Sequence, residues 1–122
     1  MLFWLAEQGR LPGRDAIPAS LPDFVLAALC GTAPVTETTN AAAHGALNLE
    51  TLGWHSRVLE LLGVADLAWP AVVPHGTVVG ELPVGGRRVP CYTPVGDYQA
   101  AVAGALLQPS ELSLNISTGS QV

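Results

Sequence analysis

Asp97 is the residue best placed to do chemistry. It follows Gly96 where an apolar stretch ending at Val95 gives way to the Ala-rich run YQAAVAGALL, so a strand-to-helix junction is expected to carry it. Open α/β sheets present side chains to ligands at such strand ends. A carboxylate there can orient a hydroxyl group and accept its proton. An Asp at a helix start also serves as an N-cap, and local sequence leaves both roles open. Ser117, Thr118 and Gly119, followed by Ser120, form the second candidate. These small residues come after an expected strand, LSLNIS, and their backbone N–H groups can either face a phosphate or close a plain surface turn.

The other reactive side chains carry weaker patterns. His44, His55 and His75 are widely spaced and lack the neighbouring ligands of a metal site, so no metal ligands are assigned. Ser56 stands outside any GxSxG elbow and reads as a helix cap. Cys30 and Cys91 form no CxxC motif, and free cysteines of this kind are expected in the core. Trp4, Trp54 and Trp69 read as core material, with Trp54 of GWHS also able to cover a pocket.

Elements that must position these residues follow from caps, breakers and periodicity. Leu2 to Ala6 reads as a helical turn, and Gly9 to Pro22 as a breaker-rich connector. Ser20 caps a helix over LPDFVLAALC that stops at Gly31. That helix is almost wholly apolar and is expected to be buried on nearly all sides. Residues 32–50 show neither period clearly, although Ala46, Leu47 and Leu49 suit a short strand. Ser56 is expected to cap RVLELL, closed by Gly63. Thr77 to Leu82 and Val89 to Val95 have strand composition, separated by the turn-prone VGGRR. Strand, helix and strand in the last third make an α/β unit.

Composition bounds the class. The chain has 122 residues, 49% hydrophobic, which is enough for one domain with a core. Only 12% are charged, about half the roughly 25% of a free-standing soluble domain. That shortfall points to a partner surface. Five arginines, no lysine and ten acids give a net charge of -5, so a nucleic-acid partner is not expected. Neither a signal peptide nor a stretch approaching the ~20 apolar residues of a membrane span is present, and a cytoplasmic location is expected.

Taken together the segments resemble the FGGY family of carbohydrate kinases. LFWLAEQ is similar to the family's K-x-x-W-L-x-E helix, with Met1 in the lysine position. LPDFVLAALCGTAPVTETTNAA resembles the stretch in which L-x-G is followed by T-D-x-x-N-A, with Glu37 in place of Asp. WPAVVPHGTVVGEL resembles the L-P-x-V-x-x-x-G-x-x-x-G-x-L run. GDYQAAVAG followed by LNISTGSQV resembles the G-D-x-Q-x-A helix start and the phosphate-facing T-G turn one strand later.

The resemblance implies an actin-like ATPase fold, of which this chain is a partial ribonuclease-H-like domain: residues 1–122 as the second half of the N-terminal domain. The first phosphate loop and the C-terminal nucleotide domain would lie outside it, leaving the chain inactive by itself. It further implies ATP and Mg²⁺ as cofactors, with a ketose such as sedoheptulose, or xylulose, as substrate. The NISTGSQV wording is closer to the sedoheptulose-phosphorylating members. Asp97 matches the general base, Tyr98 the sugar side of the cleft, and Ser117, Thr118 and Gly119 the second phosphate turn. The remainder of a kinase chain is the implied partner, with a homodimer also allowed. A catalytically inactive remnant that kept the fold is the rival reading.

Overall fold

The computed structural model describes residues 2–114. Among these described residues five helices and six short strands are interspersed, a mixed α/β arrangement. Helix α1 spans Leu2–Glu7 and α2 spans Leu21–Cys30. Ser20 caps α2 as its type suggests: its Oγ accepts from the Asp23 N–H at 3.3 Å and donates to the Asp23 carboxylate at 2.7 Å. Gly31 ends the helix in the left-handed region at φ 68, where a side chain would be strained.

Burial of α2 is the first departure from expectation. Leu21, Phe24, Val25 and Leu29 are exposed, and only Asp23 and Ala27 are buried. Among the described residues α2 packs chiefly on one strand, β5 (Val78–Val84), and its large apolar side chains stay open. Trp4 is likewise exposed rather than in the core.

Beyond Gly31 the chain forms β1 (Thr36–Glu37) and α3 (Thr38–Ala43), then β2 (Leu47–Asn48) and β3 (Gly53–Trp54). Helix α4 (Ser56–Leu61) begins one residue earlier than a Ser56 cap would place it. Its cap is His55, whose carbonyl accepts from the N–H groups of Val58 and Leu59. The His55 N–H is meanwhile drawn to the Ala46 carbonyl at 2.8 Å, which fixes the turn into the helix there. Strand β4 (Val72–Val73) runs parallel to β1, and β2 pairs antiparallel with β3.

β5 and β6 (Arg87–Tyr92) make the longest hairpin. Gly85 and Gly86 close it, both at positive φ, as a tight two-residue turn matching the right-handed strand twist requires. The strand assigned up to Val95 stops at Tyr92. Helix α5 (Asp97–Gly104) follows, but Leu112 to Leu114 are not in a strand, so the described residues do not show the second strand of the expected α/β unit. Three separate two-stranded sheets stand among the described residues.

Cys30 and Cys91 are half-buried neighbours rather than core residues. Cys91 pairs across the hairpin with Gly80, and the bare Gly80 backbone lets α2 approach so closely that an added Cβ would sit 2.7 Å from the Cys30 Cβ. Desolvation, and then a hydrogen bond to the Cys91 side chain, push the Cys30 thiol up from its ordinary value.

The core gathers Ala46, Leu59, Val64 and Leu67 under Trp54 and Trp69. Both indoles are anchored: Trp54 Nε1 donates to the Pro70 carbonyl at 2.7 Å and Trp69 Nε1 to that of Val64 at 2.9 Å. His44 meets both rings edge-on, at centroid separations of 5.6 and 6.0 Å. Its Nε2 is buried without a partner among the described residues.

Desolvation lowers the His44 pKa below its ordinary 6.5, against the smaller opposing pull of the Asp23 carboxylate. The unfolded chain therefore takes up a proton at a pH where the folded protein does not. This contribution to stability is complete above the unfolded value and is lost as pH falls from there through the lowered folded value. A melting series from about pH 7.5 to about pH 5 should show the loss, and His44→Phe should flatten it. An identical slope in the variant would assign the loss to other groups.

Candidate functional site

Asp97 is the first residue of α5, and the cap position belongs to Gly96, whose carbonyl accepts from the Ala100 N–H at 2.9 Å. Asp97 thus stands one residue inside the helix rather than at the cap position itself. Its Oδ1 accepts from the neighbouring Tyr98 N–H at 2.7 Å, which fixes the carboxylate at the head of the helix. No donor among the described residues meets Oδ2. The carboxylate is exposed to solvent and Tyr98 is half-buried.

Opposite this helix start lies the first turn of α3. Glu37, only 4% exposed, caps α3 through Oε2, which accepts from the Thr39 N–H at 2.8 Å and from the Thr39 hydroxyl at 2.6 Å. The Thr39 hydroxyl in turn accepts from the Gly96 N–H at 2.8 Å. One residue along, Asn40 Nδ2 donates to the Pro94 carbonyl at 3.0 Å and lies 3.5 Å from Oδ1 of the buried Asp23. Both polar backbone groups flanking Val95 are thus held by adjacent side chains of α3.

A cavity of about 640 Å³ opens between these two helix starts. Asp97, Tyr98 and Gln99 line it from α5, Thr39 and Asn40 from α3, and Pro22 from α2. Its lining holds one carboxylate, amides, hydroxyls and no basic side chain. Such a surface suits a neutral, hydroxyl-bearing ligand, because its uncommitted polar groups, among them Asp97 Oδ2, can exchange hydrogen bonds with an alcohol. Asp97 and Tyr98, singled out by sequence, therefore share this pocket. Ser117, Thr118 and Gly119 lie outside the described residues.

Thr39 and Asn40 were not among the candidates read from sequence. The signal that carries them is the TETTNAA stretch, where hydroxyl, amide and carboxylate side chains crowd a segment with no apolar period. Side chains of that kind satisfy backbone groups locally or from a distance, and only the fold shows which.

No protein-family model matches the chain. The chain is similar to the sedoheptulokinases of Mus musculus and Homo sapiens, each 31% identical over 128 residues that span 99% of this chain and 27% of the relative. It is also similar to the glycerol kinase of Chloroflexus aggregans, 40% identical over 78 residues, or 61% of this chain and 15% of that protein. The chain thus spans about a quarter or less of the length of these relatives.

Gly96 has an ordinary backbone, φ -55 and ψ 139, so its need for glycine comes from proximity. An added Cβ would stand 3.3 Å from the Thr39 hydroxyl and press on the Gln99 side-chain oxygen. Were there room, Gly96→Ala would stabilise by about 0.4–1 kcal/mol through the unfolded state. Crowding is expected to reverse the sign, with a loss of roughly 1–3 kcal/mol in a urea titration. A more stable variant would show that the contact yields.

Proposed function

Since the chain belongs to the FGGY family of carbohydrate kinases, we propose that the protein transfers the γ-phosphoryl group of ATP, with Mg²⁺, to a hydroxyl group of a ketose or related polyol. In this reading residues 1–122 are the second half of an actin-like, ribonuclease-H-like N-terminal domain, and a separate domain holds the nucleotide. A ketose such as sedoheptulose is the favoured acceptor, supported by the relatives named sedoheptulokinase, whose similarity extends over 99% of the chain. The observation that carries the reading is the position of Asp97, fixed at the head of α5 on a cavity lined for an alcohol.

The described residues fit the acceptor side of such a reaction. What MgATP supplies when bound is the phosphoryl group, its charge screened by the cation. No described side chain in the pocket is suited to bind those phosphates, since none is basic. The backbone N–H groups of Ser117, Thr118 and Gly119 are proposed for that role. On the acceptor side, Asp97 Oδ1 is occupied by the Tyr98 N–H, which leaves Oδ2 for the sugar. A hydroxyl hydrogen-bonded to Oδ2 is oriented for in-line attack and would give up its proton to that oxygen as the new P–O bond forms and the bond from the γ-phosphorus to ADP breaks, ADP leaving with the electron pair. Tyr98 and Gln99 contact the rest of the sugar in this reading.

Asp97→Asn tests the assignment in the complete enzyme. Asparagine keeps size and hydrogen bonding but cannot take the proton, so the loss falls on the transition state and the sugar KM should move only modestly. A fall in kcat of about 10²–10⁴-fold is expected. Since the cap is Gly96, the melting temperature should change little. A fully active Asp97→Asn enzyme would remove Asp97 from the mechanism.

A further inference from the structure

We propose that Thr39 is a positioning residue for Asp97, a role that rests on Asp97 being the general base. The Thr39 hydroxyl has one proton and stands between two partners. Glu37 Oε2, 2.6 Å away, is a carboxylate oxygen that only accepts, so the hydroxyl proton points there. The lone pairs are then turned toward the Gly96 N–H, which donates at 2.8 Å. A buried carboxylate therefore sets the direction of a hydroxyl, and the hydroxyl sets the backbone immediately before Asp97.

The geometry makes this more than a generic tether. Glu37 is itself fixed, since the same Oε2 accepts the Thr39 N–H at 2.8 Å, which closes a small ring around one residue. Asn40 holds the Pro94 carbonyl from the next position of α3, so the peptide groups on both sides of Val95 are clamped from one helix turn. Asp97 then has little freedom beyond its own side-chain torsions, and its Oδ1 bond to the Tyr98 N–H fixes those. Rate depends steeply on such placement: a shift of about 1 Å in a reacting group can cost on the order of 100-fold. Loss of the Thr39 hydroxyl frees the Gly96 N–H to seek water and lets the head of α5 move.

The test uses the complete enzyme and three variants beside Asp97→Asn. Thr39→Val keeps the β-branched shape and removes the hydroxyl, and kcat should fall roughly 10- to 100-fold with a smaller change in sugar KM. Thr39→Ser restores the hydroxyl and should recover kcat to within about threefold of wild type. Because Thr39 acts through Asp97, the double variant Thr39→Val/Asp97→Asn should be no slower than Asp97→Asn alone.

Multiplying losses in the double variant, or a Thr39→Val effect confined to KM, would show that Thr39 touches substrate on its own account and would overturn the proposal. Failure of Thr39→Ser to recover kcat would also overturn it. A fully active Asp97→Asn enzyme would instead sink the assignment of the base, a result read independently of the Thr39 variants. A melting curve on each protein separates the kcat effect from loss of fold. A Thr39→Val enzyme that loses stability but keeps wild-type kcat assigns the hydroxyl a structural role only.

Discussion

Two hydrogen bonds tie the first turn of α3 to the segment before α5, one from Asn40 to Pro94 across 54 residues and one from Gly96 to Thr39 across 57. Everything between them, including the core and the long hairpin, is a loop closed by these contacts. Closing so long a loop costs entropy, and polar contacts in water contribute little net, so the bonds hold because their groups are withdrawn from solvent. Asp23 and Glu37 are 2% and 4% exposed; Asp23 accepts from Ser20 in its own turn and meets Asn40 from α3, and Glu37 accepts twice from Thr39. A buried carboxylate without such donors would be severely destabilising. Burial thus makes these bonds obligatory, and their geometry is what the pocket inherits.

Local features were readable in the sequence because their causes are local. Ser20 caps α2, Gly31 ends it, two glycines turn the β5–β6 hairpin, and Asp97 opens α5. Each depends on the conformational preference of one or two residues. Helix α3 was not readable, since TTNAAA has no apolar stripe and owes its place to a local cap by Glu37 and to Thr39 and Asn40 reaching groups far away in the chain. The burial of α2 was misread for a related reason. Apolar content tells what a helix can bury, whereas the neighbours decide what it does bury, and among the described residues β5 is the main element packed on α2.

The contacts between Cys30, Gly80 and Cys91 show the same division. Nothing in the spacing of two cysteines brings them together, and the pairing arises from a glycine in β5 that lets a helix lie against a strand. Likewise Glu37 departs from the Asp of the family's pattern by one methylene, and its carboxylate reaches both donors of Thr39 from that position. The family resemblance located the segment. Its hydrogen bonding is visible only once the two helix starts face each other.

Gly96 divides the pocket into a part that can vary and a part that cannot. A side chain at position 96 would crowd the Thr39 hydroxyl at 3.3 Å and displace the end of the Gln99 side chain. Tyr98 and Gln99, on the following turn, border the cavity with their side chains and carry none of the bonds that hold the 94–96 backbone. Substitution at 98 and 99 can therefore reshape what the pocket accepts while the carboxylate at 97 stays where it is. The shape of the cavity and the placement of its carboxylate are in this way set by different residues, so one can change without the other.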